Sequence, residues 1–312
     1  SPYTEPASRI AAVPDIEGSN VCLSCHSGLS SGQGIKDADY ATEISGKNFG
    51  SFNSHYLAAG GIMFRTIGYE FANSVGGAPL NYDDASYYGH KNIGTANCES
   101  HGHPCSEDVR SGGPCVGCHM KDADSGHTLH VVEKDTGGII TGILANDGVC
   151  SNCHAGPYTL TATELEEQAE GFHEGLVVLE DALIANGIYY QTCYPYFYNT
   201  SPANCGPYYP SYPTPNPDVF TAWPDKQSLG AAFNFSMLHH EPGAYAHNRF
   251  YTQRLVFDSI DWLDGDTRLD DLGNFGTDGE RMDGYIDLTG HTHAYDWLRG
   301  YGYPAITNVP RP

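Results

Sequence analysis

Three copies of the pattern Cys-x-x-Cys-His occur in this chain of 312 residues. Two thiols three residues apart can form thioether bonds with the two vinyl groups of one haem, while the adjoining imidazole binds the iron. A zinc knuckle or a redox-active dithiol would also use paired cysteines, but neither explains why a histidine follows every pair. The pattern therefore predicts three covalently bound haems of the c type. The predicted attachment residues are Cys22, Cys25, Cys115, Cys118, Cys150 and Cys153, and the predicted proximal ligands are His26, His119 and His154.

Four of the 10 cysteines lie outside these motifs: Cys98, Cys105, Cys193 and Cys205. An oxidising compartment does not preserve free thiols, so four of them in an exported chain suggest two disulfides. Three pairings are open, and we favour the two that close the shortest loops, Cys98 with Cys105 and Cys193 with Cys205. This cysteine usage predicts a location outside the cytoplasm. No positively charged start followed by an apolar core opens the sequence, so we expect a removed signal peptide and a mature chain that begins at Ser1.

The composition is strongly acidic, because 38 Asp and Glu against 15 Lys and Arg give a formal net charge of −23. Such a surface repels nucleic acid, and we expect no nucleic-acid partner. No run of 18 or more apolar residues exists, so we also expect no membrane span. With 37 Gly and 19 Pro, the chain is predicted to be mainly irregular and loop-rich, with a few α-helices and little β structure. We expect this fold to be organised around the three haems.

The composition divides the chain into four stretches. Residues 1–20 contain three prolines and predict an extended N-terminal arm. Residues 21–187 form the predicted trihaem-binding region, which ends in an amphipathic helix. Residues 188–224 are rich in Tyr and Pro and predict an extended segment, either a rigid linker or a docking strip for a neighbouring subunit. Residues 225–312 are predicted as a helical region with an extended tail, and we expect one compact unit overall.

Local patterns predict one hairpin and three helices. A Gly-Gly pair predicts a short hairpin within residues 130–143. In the clearest helix, Thr163 and Glu166 match a capping box, apolar residues recur at helical spacing, and an Asn-Gly pair marks the end at 186–187. Two further helices are predicted at 229–238 and at about 245–263.

Each haem iron needs a second axial ligand, and 12 histidines lie outside the motifs, which favours bis-histidine ligation. His127 lies eight residues after the second motif, close enough to return over the same haem or over one stacked beside it. His55 and His90 bracket the long gap between the first two motifs, and we expect one of them to serve the first haem. His247 opens the last predicted helix, whose packing can direct the ring inward. The candidates are His55, His90, His127 and His247, one more than three haems can use, with His130 as a substitute for His127 and His173 as an alternative at the third haem.

Several phrases in the sequence resemble the outer-surface multihaem c-type cytochromes of metal-reducing bacteria. They are Cys-Val-Gly-Cys-His-Met at 115–120, Gly-Pro-Tyr-Thr-Leu at 156–160, Gly-Ile-Tyr-Tyr at 187–190, Leu-Gly-Ala-Ala-Phe-Asn-Phe at 229–235, Glu-Pro-Gly-Ala-Tyr-Ala-His-Asn at 241–248 and Asp-Ser-Ile-Asp at 258–261. The resemblance covers most of residues 21–263. Some relatives of that type polymerise into extracellular filaments whose haems form a continuous wire, and the resemblance implies the same for this chain.

The sequence therefore favours an electron-transfer protein rather than an enzyme, located at the cell surface or outside the cell. The proline-rich arms and the Tyr-rich segment independently favour self-association, since a head-to-tail contact that does not close into a ring propagates as a filament. The expected partners are further copies of the chain, redox proteins and extracellular acceptors such as metal oxides. Two alternatives stay open: a soluble trihaem shuttle in the periplasm, and a reductase with an open coordination site on one iron.

Overall fold

The computed structural model describes residues 15–54, 57–72, 78–83, 89–95, 112–120, 130–144, 149–201, 216–263 and 291–298. The helices of these residues are α1 (Asn20–His26), α2 (Gly32–Asp37), α3 (Ala59–Met63), α4 (Gly113–His119), α5 (Ala162–Ala185), α6 (Lys226–His239), α7 (Ala244–His247), α8 (Arg249–Leu263) and α9 (Thr292–Leu298). Two small antiparallel sheets pair β1 (Val132–Lys134) with β2 (Ile140–Ile143) and β3 (Tyr189–Tyr190) with β4 (Phe197–Tyr198). Helix thus dominates the regular structure, and the prediction of little β structure holds for the described residues.

Helices α5, α6 and α8 pack against one another and form the centre of the fold. Every residue of α6 from 228 to 238 is buried, as expected of a helix that other elements surround. A single cluster of buried apolar side chains extends from Ile35 to Leu298 and includes residues of all three helices. In the described part of the chain, no helix has both the length and the apolar composition needed to cross a membrane.

A buried amide, Asn234, ties α6 to two other parts of the core. Its Oδ1 accepts a hydrogen bond from the backbone N–H of Tyr69 at 2.7 Å. Its Nδ2 donates to the carbonyl of Tyr69 and to the hydroxyl of Ser259 in α8, both at 3.0 Å. Leaving such a group unsatisfied would cost about 1–3 kcal/mol, so the amide selects one arrangement of these three segments.

Helix α5 begins two residues before the predicted start. The hydroxyl of Thr161 accepts from the N–H of Glu164 at 3.1 Å, and the Glu164 carboxylate accepts from the N–H of Thr161 at 2.9 Å. These two bonds form the capping box, so the predicted pair of Thr163 with Glu166 is wrong. Glu166 instead accepts a hydrogen bond from the N–H of Ile140 at 2.7 Å and holds the hairpin against α5. The predicted Asn-Gly end of the helix is confirmed.

Three other predictions can be compared with the structure. The hairpin within 130–143 is confirmed by the pairing of β1 with β2. The predicted helix over 245–263 is two helices, because the backbone of Asn248 between α7 and α8 is extended. The predicted extended tail is wrong for residues 292–298, which form α9 and pack on α5. There the ring of Trp297 lies edge-on to Phe172 with 5.8 Å between ring centres.

The aromatic side chains of the Tyr- and Pro-rich segment mostly point into the protein where it is described. Phe197 is fully buried and packs edge-on against Phe49, with 4.7 Å between ring centres. Phe220 packs in the same way against Trp223, whose indole N–H donates to the carbonyl of Lys47 at 3.0 Å. These parts of the segment close the core. The three tyrosines at 208, 209 and 212 lie outside the described residues.

Candidate haem centres

The first two motifs lie on short α-helices and the third on a tighter turn. Helices α1 and α4 end at the motif histidines His26 and His119. The third motif begins with the 3-10 helix Cys150–Asn152, where the N–H of His154 donates to the carbonyl of Cys150 at 2.7 Å. Residues three apart lie on the same side of a helical turn, so each cysteine pair can face one haem edge.

Ser19 joins the first motif to the second. It is fully buried before the start of α1, where its hydroxyl donates to the carbonyl of Gly112 and accepts from the N–H of Val116 at 3.1 Å. Gly113 has a φ of +78°, and a Cβ atom at this position would lie 2.0 Å from the carbonyl oxygen of Ile16. The Gly-Gly turn therefore lets α4 dock directly on the chain that leads into α1.

Successive motifs are also neighbours through their thiols. Burial raises the pKa of Cys115, and the Cys22 thiol of the first motif raises it further. The pKa of Cys118 is raised to about 12, first by burial and then by the thiols of Cys150 and Cys115. Such charge effects act over short distances, so the second motif lies beside both the first and the third.

Helix α3 connects the first motif to the helix that carries His247, because it contacts both α1 and α7. The contact with α1 depends on Gly60, where a Cβ atom would lie 2.3 Å from the side chain of Leu23. Leu23 is buried within the first motif, between the two cysteines. A glycine at this position allows the two backbones to approach closely.

Helix α7 places His247 opposite the second motif. The ring centres of His247 and His119 are 6.2 Å apart, with an angle of 40° between the rings. The position of His247 is fixed by the next residue, Asn248, whose Oδ1 accepts from the N–H of Tyr251 at 3.1 Å and caps α8. The Asn248 amide also donates to the carbonyl of Met63 in α3 at 3.4 Å. The break between α7 and α8 therefore holds His247 at a helix end beside α3.

A second histidine pair forms at the third motif. The ring centres of His90 and His154 are also 6.2 Å apart, and their rings are inclined at 71°. His90 begins the 3-10 helix His90–Asn92, which packs against α4. Its Nδ1 lies 2.9 Å from the carbonyl oxygen of Ala246, the residue before His247. An imidazole that donates from Nδ1 presents Nε2 to a metal, so this bond selects the tautomer that a ligand needs.

Both pairs have the dimensions of bis-histidine haem ligation. An imidazole nitrogen lies about 2 Å from a metal that it binds and about 1.1 Å from its own ring centre. Two histidines on opposite faces of one haem iron therefore have ring centres about 6 Å apart. The observed 6.2 Å in both pairs fits this value, so the residues present suit a c-type haem at the second and third motifs.

The ionisation of His90 agrees with a ligand role. Desolvation by the surrounding protein lowers its pKa to about 4, although the carbonyl of Ala246 acts in the opposite direction. The nearby rings of His154 and His247 lower the pKa further. The imidazole is therefore neutral over the physiological range, and only the neutral ring has a lone pair to give to iron.

Exposed apolar side chains lie beside the first two motifs, where a bound haem could cover them. The three most exposed large apolar side chains of the described residues are Val21 at 78%, Leu29 at 53% and Met120 at 51%. Val21 and Met120 adjoin the first and second motifs, and Leu29 lies three residues after His26. Burying such surface against an apolar ring contributes about 25 cal/mol per Å².

The other predicted site residues lie away from these two histidine pairs or outside the described residues. His55 and His127 lie outside the described residues. His130 is exposed before β1, and His173 lies on α5 beside an open cleft of about 330 Å³ between α5 and α6. Cys193 is disulfide-bonded, but its partner lies outside the described residues, so its pairing with Cys205 and that of Cys98 with Cys105 stay predictions.

The motifs and the paired histidines are of the kind that a multihaem c-type cytochrome would use. The chain is 40% identical over 257 residues to the C-type polyheme cytochrome OmcB of Geobacter sulfurreducens, a match that covers 80% of this chain and 32% of OmcB. It is equally similar to the C-type polyheme cytochrome OmcC of the same species, with 80% of this chain and 30% of OmcC covered. The chain therefore spans about a third of the length of the curated relatives it matches. No protein-family model and no solved structure matches it. These likenesses support a multihaem c-type cytochrome.

Proposed function

We propose that this chain transfers electrons through three covalently attached haems, each held between two histidines. The observation that carries the proposal is the pair of 6.2 Å separations, between His119 and His247 and between His154 and His90. A c-type haem supplies one-electron chemistry at its iron, and two protein ligands close both axial positions. With both positions closed, the iron exchanges electrons without binding a substrate, which favours a conduit over a reductase.

The ligand assignment follows from these pairs. His247 serves the second haem, and His90 serves the third rather than the first, for which the sequence alone favoured it equally with His55. Two of the four candidates remain for the first haem, His55 and His127. We assign His55, because it lies in the gap that follows the first motif, whereas His127 follows the second motif, whose distal position His247 fills. In this assignment His127 has no axial position, and the surplus of one among the four candidates is resolved.

The arrangement of the motifs suits rapid transfer within the chain. The second motif lies beside the first through Ser19 and Cys22, and beside the third through Cys150. The distal residues His247 and His90 are joined through the carbonyl of Ala246. We therefore propose that the second haem lies between the other two and exchanges electrons with each of them.

The wider role is an extension of this proposal. We place the protein outside the cell or at its surface, as a subunit of a homopolymer in which the last haem of one copy approaches the first haem of the next. The support is the resemblance to filament-forming cytochromes and the two proline-rich ends of the sequence. Redox proteins would supply electrons, and extracellular acceptors such as metal oxides would take them. The alternative that the resemblance also allows is a periplasmic shuttle of the same three haems.

The test uses the haem-loaded protein. We expect His90→Ala and His247→Ala each to convert one of three low-spin haems to a high-spin form that binds carbon monoxide when reduced. The control is His173→Ala, an exposed histidine that the proposal does not use, and it should keep three low-spin haems. Absorption and electron paramagnetic resonance spectra give the numbers of low-spin and high-spin haems in each variant. If His90→Ala or His247→Ala keeps all three haems low-spin, the assignment is wrong, and carbon monoxide binding by the reduced native protein would support the reductase instead.

A further inference from the structure

Glu241 is a buried carboxylate beside the proposed distal ligand of the second haem. Its side chain is only 6% exposed, although it belongs to a short turn between α6 and α7. Oε2 accepts a hydrogen bond from the backbone N–H of Ala58 at 2.9 Å. Oε1 lies 3.3 Å from Nδ1 of His247, an ion-pair contact outside hydrogen-bond geometry, so the carboxylate lies between the start of α3 and the ligand ring.

The two proposed distal ligands thus have different partners at Nδ1. His90 faces the neutral carbonyl of Ala246, whereas His247 faces the carboxylate of Glu241. A carboxylate partner orients a ligand histidine, increases the basicity of its metal-binding nitrogen and adds negative charge near the metal. The added basicity and the added negative charge both favour the oxidised, more positive iron, and in a buried site the charge is weakly screened by solvent.

We infer that Glu241 is a positioning residue for His247 and that its carboxylate holds the second haem at a lower reduction potential than the third. The inference rests on the proposed histidine ligation of both haems. As a consequence, electron transfer from the second haem to the third within one chain is thermodynamically favourable. The buried contact with Ala58 keeps the carboxylate in place, because moving it would leave an N–H group unsatisfied.

The experiment is a spectroelectrochemical titration of the haem-loaded protein carrying Glu241→Gln. The amide is nearly the same size and can still accept from the N–H of Ala58, but it has no charge. We expect one of the three midpoint potentials to move upward, with the other two little changed and all three haems still low-spin. The substitution His247→Ala identifies the haem whose midpoint potential shifts, because the same midpoint should disappear when the low-spin haems of that variant are titrated. The control is Glu43→Gln, which deletes an exposed carboxylate of the turn Tyr40–Ile44 and should leave all midpoints in place.

Failure of this inference is distinguishable from failure of the proposed function. If His247→Ala produces one high-spin haem but Glu241→Gln leaves every midpoint unchanged or lowers one, Glu241 does not tune the haem and the ligation stands. If His247→Ala has no spectroscopic effect, the ligation itself is wrong, and this inference fails with it. Should Glu241→Gln not take up haem, Glu241→Asp replaces it. Its shorter side chain withdraws the charge from the ring and should raise the same midpoint by a smaller amount, and an unchanged midpoint would overturn the inference.

Discussion

His90 and His247 are linked through one backbone carbonyl, so the two proposed distal ligands are not independent residues. The Nδ1 atom of His90 lies 2.9 Å from the oxygen of Ala246, and the next residue is His247 itself. A displacement of α7 would therefore change the ligation of two haems together. Asn248 fixes the end of α7 through its hydrogen bonds with α3 and α8, and it therefore stabilises the positions of both histidines.

Two substitutions distinguish between His55 and His127, the two candidate distal ligands that lie outside the described residues. His55→Ala is expected to make one haem high-spin, because His90 and His247 already occupy two of the three distal positions. His127→Ala is expected to leave three low-spin haems, because His127 follows the second motif, whose distal position His247 already fills. Electron paramagnetic resonance of the oxidised protein and carbon monoxide binding by the reduced protein report both results. A high-spin haem in His127→Ala together with an unchanged spectrum in His55→Ala would reverse the assignment of the first haem.

The residues of the candidate site differ in how far sequence could reveal them. The attachment cysteines and proximal histidines are predicted by a local pattern, since one haem must reach all three side chains of a motif. A distal ligand comes from a distant part of the chain, and its pairing depends on packing. Glu241 gave no separate signal, although it lies six residues before His247 in a phrase that carried the resemblance.

At the scale of elements, α7 and α8 show where helical periodicity fails as a guide. Apolar spacing predicts one helix over 245–263, because the pattern continues through Asn248 without a proline or glycine. The break arises from hydrogen bonds of the Asn248 side chain, one of them to Met63 in a distant segment. Periodicity predicted α5 and α6 because each buries a long apolar surface. It misplaced the start of α5, where Thr161 and Thr163 each precede a glutamate at the spacing of a capping box.

Helix α9 docks on α5 partly through an ion pair, from which we predict that the contact depends on pH. Nδ1 of His293 lies 3.0 Å from Oε1 of Glu174, whose other oxygen accepts from the N–H of Ala294 at 2.9 Å. The hydrogen bond to Glu174 raises the pKa of His293. Burial would raise the pKa of Glu174, but the bonds from His293 and Ala294 outweigh it and lower that pKa.

The signs of these shifts define a pH window. A raised histidine pKa stabilises docking fully below its usual value of 6.5, and the contribution is lost as pH rises through the raised pKa. A lowered glutamate pKa stabilises docking above its usual value of 4.5 and is lost as pH falls through the lowered pKa. Docking of α9 is therefore expected to be tightest between these two values.

Hydrogen exchange of residues 292–298 tests this prediction. After correction for intrinsic rates, protection at pH 6 should exceed protection at pH 9 by about two- to fivefold, as expected for an exposed pair worth up to about 1 kcal/mol. His293→Gln should remove the difference. His240→Gln, at the exposed histidine that directly follows α6 and contacts the carbonyl of Ser236, should retain it. A difference that persists in His293→Gln would assign the pH dependence to another group.

At the scale of the whole molecule, the three motifs follow one another in space as they do in sequence. Cys22 lies near Cys115, and Cys118 lies near Cys150, so each attachment site neighbours the next one along the described part of the chain. One apolar core, in which α5, α6 and α8 meet, supports these sites from Ile35 to Leu298. The proposed homopolymer would continue this arrangement from copy to copy.

Assembly is predicted to depend on salt. Copies of a chain with a formal net charge of −23 repel one another, and dissolved ions screen this repulsion. Negative-stain microscopy of the native protein should show unbranched filaments that become longer or more frequent from low to physiological salt. Deleting residues 1–14, which spares Ser19 and the start of α1, should weaken assembly while leaving three haems attached. A protein that stays monomeric at high concentration across the salt series would leave the three-haem shuttle as the better account.

The central claim is that His119 pairs with His247 and His154 with His90 across two haem irons. A structure of the haem-loaded protein at a resolution that places iron and imidazole nitrogens tests it most directly. We predict one iron between each pair, about 2 Å from the Nε2 atom of both histidines. An iron at the second or third motif whose distal ligand is water, methionine or a different histidine would contradict the account.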